Sequence, residues 1–378
     1  MTTDLLIQGG WVIDPSQSIN GRYDIAISGG RIAALAEPGR LPAEIGGARQ
    51  TLDASGTIVT PGLIDLHAHV FPGRTPLGIE ADRVGVEQGV TTLVDAGSAG
   101  ARTFATFLDE AVKPAETRVL AFLNIAGEGL CGGLSELADM DRLTPGEAVA
   151  LIREQPLIRG IKARMSASVV RENGIKPLLV AKEAAREAGC PLMVHIGNAP
   201  PALPEILREL DAGDVVTHAF HGKTGGILDD RGRLIPEAEK ALARGVLFDV
   251  GHGTSSFSFR TMRQARALGL APHTISTDIY RQNEAGPVHS LTTTMTKFLA
   301  LGFSLEEVIA ACTAAPAAVL RMTDEIGTLR PGAVADLSLL EMTNVPVVLT
   351  DSEREQLTAE ESVTAKLTIK AGKVLTCR

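Results

Sequence analysis

The pattern of apolar and polar positions changes twice along the chain. From residue 4 to 56, apolar runs of four to six residues are separated by Gly-Gly pairs, as in DLLIQGGWVID and YDIAISGGRIAAL. Such runs read as short strands, joined in hairpins at Gly9-Gly10 and Gly29-Gly30. After Gly56 short apolar runs alternate with longer stretches of helical period. Eight strands are predicted: IVTPGLIDLHAH at 58–69, TTLVDAG at 91–97, RVLAFLNI at 118–125, LIRGIKA at 157–163, PLMVHIG at 191–197, DVVTHAF at 214–220, VLFDVG at 246–251 and HTISTDIY at 273–280. Between them lie helices such as PLLVAKEAAREAG at 177–189 and PEAEKALARG at 236–245, each ending in the glycine that favours a helix C-cap.

Strand and helix in alternation, without two-residue hairpin signals, point to parallel pairing and an α/β fold. Eight such units predict a (β/α)8 TIM-like barrel over 59–325. Near residue 326 the pattern reverts. EIGTLRPGAVADLSLLE and AKLTIKAGKVLT read again as short strands with glycine turns. The two strand-rich ends, 1–58 and 326–378, are expected to pair into a small β-sandwich flanking the barrel.

Composition narrows the class. Apolar residues make up 44% of the 378 and charged residues 21%, enough for a sizeable core. Aromatics are only 3%, so Ala, Val, Leu and Ile must build that core. A net charge of −9 lacks the basic face that nucleic-acid binding requires. Cys131, Cys190, Cys312 and Cys377 form no CxxC pair, which fits a reducing compartment better than a disulfide scaffold. The N-terminal residues lack the basic and apolar regions of a signal peptide, and no uncharged apolar run approaches ~18 residues. A soluble cytoplasmic protein without a membrane span is expected; a homo-oligomer is left open.

In a barrel of this kind the chemistry sits at the C-terminal ends of the strands. Strand 1 ends in His67 and His69, strand 5 in His195, strand 6 in His218 and strand 8 in Asp278; strand 4 carries Lys162. Residues two apart on a strand share a face, so His67 and His69 point together into the mouth. Any one of these alone is more often a packed or solvated residue. Together, in order, at five strand ends, they are hard to obtain by chance. Imidazoles and a carboxylate suit Zn²⁺ and similar divalent ions. A buried lysine can lose its proton, capture CO2 and become a carbamate able to bridge two ions. Such a pair would lower the pKa of a bridging water and aim hydroxide at a carbonyl.

VTPGLIDLHAHV, the lysine, the two single histidines and STD resemble the amidohydrolase superfamily, as does the closing GTLRPGAVADLSLLE. Within it, TTLVDAGS, THAFHGK, FDVGHGTSSFSF and TTTMTKFLALG resemble a dihydroorotase-like, aminoacylase-like deacetylase subgroup with a binuclear centre. The resemblance implies that His67 and His69 bind one ion together with Asp278. Lys162, as a carbamate, bridges to a second ion on His195 and His218. Zinc is the expected metal. Asp278 takes the proton of the attacking water and passes it to the leaving group.

Two departures bear on the substrate. In dihydroorotases HxHxRxPG carries an arginine that holds the substrate carboxylate; here Phe71 stands in that place. In D-aminoacylases a strand-2 cysteine bridges the metals; here the strand reads Asp95-Ala96-Gly97. The leading expectation is therefore hydrolysis of an amide or ester in a small N-acyl or O-acyl carboxylic acid. A cyclic amide hydrolase is the alternative, and a non-catalytic barrel homologue the second. His252, His221, Lys223, Arg164 and Arg281 are candidates to contact a carboxylate-bearing substrate. His252, between two glycines, leads that group. Cys131 is read as a loop residue on the active-site side, His273 as structural, and His289 as the start of a helix without a role in the chemistry.

Overall fold

The computed structural model describes residues 3–41 and 47–378. Seven parallel strands form one curled sheet in chain order: Leu63–Ala68, Val90–Gly100, Arg118–Asn124, Ile158–Met165, Leu192–Ile196, Val215–Thr217 and Leu247–Phe248. The eighth segment closes the barrel through single parallel bridges, Asp249 to Thr274 on one side and Ala68 to Ile279 on the other. The chain is thus an α/β barrel, as the alternating pattern predicts. The eighth segment is not the continuous strand expected over 273–280: it pairs only at Thr274 and Ile279, and Asp278 between them takes a left-handed backbone conformation with φ 48°.

The helices cap as their sequences suggest. Lys176–Ala188 stops at Gly189 and Pro236–Arg244 at Gly245, both glycines in the left-handed region. Ile64, Leu66, Val94, Ala96, Phe122, Met193 and Val215 gather into one apolar cluster contributed by five strands. Met193 Sδ lies 3.3 Å from Lys162 Nζ, so this cluster underlies the polar groups at the mouth.

The run at 58–69 divides at Gly62. Its first half, Ile58–Pro61, leaves the barrel and pairs with Leu337–Thr343 in a six-stranded sheet. That sheet faces a four-stranded one across Leu5, Ile7, Val12, Ile25, Ile27, Val59, Leu337, Leu339 and Ile369, a small sandwich built from both ends of the chain. The hairpin expected at Gly9-Gly10 is not formed. Leu5–Gln8 belongs to the four-stranded sheet and Trp11–Asp14 to the six-stranded one, so the glycine pair carries the chain between sheets. A Cβ at Gly10 would meet Val59 Cγ2 at 2.6 Å, which explains the need for glycine at that crossing. The hairpin at Gly29-Gly30 is present, joining Asp24–Ser28 to Arg31–Ala36.

A separate hairpin, Val347–Thr350 with Gln356–Ala359, reaches back to the barrel. Its turn residue Asp351 accepts the amide of Phe259 at 2.8 Å, and Ser352 donates its amide to Phe257 at 3.0 Å. No helix among the described residues is long and apolar enough to cross a membrane.

Candidate functional site

His67, His69, His195, His218, Lys162 and Asp278 meet at the barrel mouth. Asp278 Oδ1 lies 3.3 Å from His67 Nε2 and 3.2 Å from His69 Nε2, and its Oδ2 lies 4.0 Å from His218 Nε2. Lys162 Nζ is 3.3 Å from His67 Nε2. The ring of His195 stands edge-on to that of His218, with centroids 4.4 Å apart.

The Nδ1 atoms are committed elsewhere. His218 Nδ1–H donates to Gly251 O at 2.6 Å. His67 Nδ1 meets Thr217 Oγ1 at 2.8 Å, and the Thr217 hydroxyl donates onward to buried Asp249 Oδ2 at 2.7 Å. The threonine has one proton to give, so it accepts from His67 Nδ1–H, and the Nε2 lone pair of His67 is left facing inward. His69 Nδ1 shares a hydrogen bond with Ser98 Oγ at 3.1 Å. Ser98 is itself tied by its amide to Asp95, whose other oxygen accepts the amide of Val70.

Burial, reinforced by the Lys162 charge, holds the His67 imidazole well below its ordinary range. Burial likewise takes His218 down to about 3, against the pull of Asp278. Both rings are therefore neutral, with lone pairs available. Burial also brings the Lys162 ammonium down to about 7, opposed by Asp278 and assisted by Arg164. At neutral pH a substantial fraction of that amine is unprotonated, the state that reacts with CO2.

His218 Nε2 is buried and has no hydrogen-bond partner among the described residues. Ligand atoms of His67, His218 and Asp278 lie within 4.8 Å of one another. An orphaned lone pair beside a second imidazole and a carboxylate fits a divalent cation, whereas without one it would carry an unrecovered desolvation cost. The backbone agrees. His218 (φ 67°) and Asp278 (φ 48°) are both left-handed without being glycine, strain that collects at functional sites and costs about 1–3 kcal/mol per residue.

The other candidates separate into two sets. Arg164 and Lys223 border the cluster. Arg164 is held by fully buried Glu136 through contacts of 3.0 and 3.3 Å. Lys223 is half-buried and, among the described residues, its ammonium has no carboxylate partner. Its charge acts on His195, His218 and His221. His221 is buried, accepts the Lys223 amide on Nδ1 at 3.1 Å, and has an Nε2 with no partner among the described residues. His252 and Arg281 are not brought to the cluster. Arg281 is exposed. His252 is fully buried with both ring nitrogens engaged, Nδ1 to Gly253 O at 2.9 Å and Nε2 to Lys297 Nζ at 2.7 Å. Phe71 is buried edge-on against Phe107, so no cation occupies the place of a dihydroorotase-type arginine.

Sequence reasoning missed Thr217, Ser98 and Asp249, which stand behind His67 and His69, and also Glu136 and Lys297, which hold Arg164 and His252. It also missed Tyr280, whose ring centroid is 6.3 Å from that of His69. Tyr280 follows Asp278 by two, the spacing used for Arg164, and could have been found on that signal. A cavity of about 500 Å³ lies at the other end of the barrel, lined by Cys190, Asp214, Leu247, His273 and Arg321, away from these groups.

Residues 58–375 match the family model described as Amidohydrolase family. A protein of Enterococcus faecalis (strain ATCC 700802 / V583) named deacetylase is 41% identical over 99% of this chain and 99% of its own length. A solved structure described as an adenine deaminase superposes with TM-score 0.93 at 39% identity, covering 99% of this chain and 100% of the other. A solved dihydroorotase superposes with TM-score 0.89 at 33% identity, covering 99% and 98%.

Proposed function

This chain belongs to the amidohydrolase family and is a hydrolytic enzyme, and from that premise we propose that it removes an acyl group from a small N-acyl or O-acyl carboxylic acid. The full-length relative named deacetylase supports acyl transfer to water. The observation that carries the metal-dependent reading is the orphaned His218 Nε2, facing Asp278 beside the inward lone pair of His67. His67, His69 and Asp278 would hold one divalent ion and His195 and His218 a second, with Lys162 supplying an anionic carbamate as a further oxygen donor. Zinc suits this donor set. When bound, such ions supply Lewis acidity toward a carbonyl and lower the pKa of water.

The protein residues then have distinct tasks. Lys162 forms its carbamate by attack of the neutral amine on CO2, releasing one proton. Asp278 is the general base and then the general acid. Its carboxylate takes a proton from the attacking water and returns it to the leaving nitrogen or oxygen. Arg164, held by Glu136, and Lys223, which has no carboxylate partner among the described residues, bind the substrate carboxylate. The arginine absent at Phe71 weighs against a cyclic acid such as dihydroorotate. His221 sits behind Lys223 and orients its backbone.

Steady-state hydrolysis by zinc-loaded protein tests this reading. The panel holds N-acetyl amino acids and O-acetyl hydroxy acids of both hands, dihydroorotate, hydantoins and adenine. Turnover confined to the acyclic acetyl acids is expected. Turnover confined to the cyclic amides or to adenine would overturn the acyl reading and leave only the hydrolase assignment standing.

A further inference from the structure

Lys297 lies in the helix Leu291–Ala300, outside the ligand cluster, yet it is fully buried. Its Nζ meets three acceptors: His252 Nε2 at 2.7 Å, Pro287 O at 2.6 Å and Thr350 O at 2.8 Å. His252 Nδ1–H is spent on Gly253 O, so its Nε2 must accept, and Lys297 is the donor in all three bonds. An ammonium has three protons, and each finds a partner. A buried lysine satisfied this completely is a fixed joint rather than a solvated charge.

The three acceptors belong to three segments around the centre. His252 is the middle of the turn Gly251–Gly253. That turn is bonded to the segment carrying Asp278, through His252 N to Ser276 O at 3.1 Å and Gly253 N to Thr277 O at 2.8 Å. Its first glycine accepts His218 Nδ1–H. Both glycines are left-handed and tightly opposed. A Cβ at Gly251 would lie 2.8 Å from His218 Nδ1, and one at Gly253 would lie 2.5 Å from Asp278 Oδ2. Pro287 follows the turn in which Asn283 Nδ2 donates to Asp278 O at 2.8 Å. Thr350 leads into Ser352, whose hydroxyl donates to Gly253 O at 3.1 Å.

We propose that Lys297 and His252 act as one pair of positioning residues, pressing the Gly251–Gly253 turn against His218 and Asp278 and so fixing the geometry of the metal centre. The proposal rests on the metal-dependent reading above. The pair touches no reacting atom. It acts through the carbonyl of Gly251, which aims His218, and through the turn that confines the Asp278 carboxylate.

The test uses full-length protein reconstituted with metal, as wild type, Lys297→Met, His252→Leu and the double variant. Zn²⁺ affinity is measured by competition with a chromogenic chelator, and the visible spectrum is recorded with Co²⁺ in place of zinc. Each single variant should bind Zn²⁺ about 10–100-fold more weakly, the usual consequence of removing a group behind a ligand, and shift the Co²⁺ bands. The double variant should bind within a factor of about 3 of the weaker single, because the two act as a unit. Lys297→Met strips donors from two buried carbonyls. His252→Leu leaves both bonded and decides the matter where Lys297→Met does not fold. Native affinity and a native Co²⁺ spectrum in folded His252→Leu would overturn the pairing. Failure of wild type to bind any divalent ion would instead overturn the metal-dependent reading on which it rests.

Discussion

Thr217→Val is the most informative single change behind the ligands, because it alters hydrogen bonding and almost nothing else. Thr217 Oγ1 is buried between His67 Nδ1 at 2.8 Å and Asp249 Oδ2 at 2.7 Å. Valine matches its shape and removes both bonds. The bond from His67 is neutral and contributes about 1 kcal/mol; the bond to a carboxyl group contributes about 1.5–3 kcal/mol. Asp249 still accepts from Thr274 at 2.6 Å and Ser276 at 2.7 Å, which places its loss at the low end. The sum is a destabilisation of about 2–3 kcal/mol. The second consequence is specific to the centre. Without its acceptor, His67 Nδ1–H no longer fixes which nitrogen faces inward, and Zn²⁺ affinity should fall roughly 10–100-fold. Thr217→Ser keeps the hydroxyl and should preserve both quantities within about 1 kcal/mol. Urea unfolding of metal-free protein gives the stability term, and chelator competition gives the affinity. Weakened stability with wild-type affinity in Thr217→Val would show that the hydroxyl serves the fold alone, and the reasoning that links Asp249 to the metal through Thr217 would fail.

Three further outcomes follow from the same geometry. Asp278→Asn should fold, since asparagine tolerates the left-handed backbone, but lose about 10²–10⁴-fold in kcat; near-wild-type kcat would remove Asp278 from proton transfer. Lys223→Met should raise KM for an acyl substrate bearing a carboxylate by roughly tenfold, and leave the neutral methyl ester of the same compound unchanged. An equal effect on both compounds would show that Lys223 does not read the carboxylate. Stability should fall on acidification below pH 6.5. Burial takes His221 down to about 4 and His252 well below its usual range, so the unfolded chain binds protons there that the folded chain refuses. Each such histidine contributes a slope of up to about 1.4 kcal/mol per pH unit between its unfolded and folded pKa. Denaturant midpoints from pH 7.5 to 5 should show that slope flattened in His221→Asn, and an unchanged slope would mean that His221 titrates normally when folded.

The parts legible in the sequence are those governed by local period. Apolar runs of strand length followed by helical stretches revealed the barrel, and reading the last residues of those runs found His67, His69, His195 and His218. What stayed hidden depends on partners far along the chain. Thr217 and His67 are 150 residues apart, and Lys297 and His252 are 45 apart. A threonine in a strand and a lysine in a helix carry no mark of such a bond. The Gly9-Gly10 misreading has the same origin: glycine permits a sharp turn, but only the distant strands decide whether its flanks pair with each other or with different sheets.

His252 shows where local inference misleads. A histidine between two glycines at a strand end reads as a candidate to contact substrate. The glycines are instead required by contact, since neither Gly251 nor Gly253 has room for a Cβ against His218 and Asp278. Crowding of that kind needs something to oppose it, because a glycine turn left to itself regains its conformational freedom. Two ligands behind the turn are also strained, with His218 and Asp278 held at positive φ. Relaxing either would move a donor atom out of the cluster. The buried bond from His252 to Lys297 is placed where it resists both movements at once. The helix that carries Lys297 is thereby tied, through His252 and the carbonyl of Gly251, to the same cluster as the strands that carry His67, His69, His195 and His218.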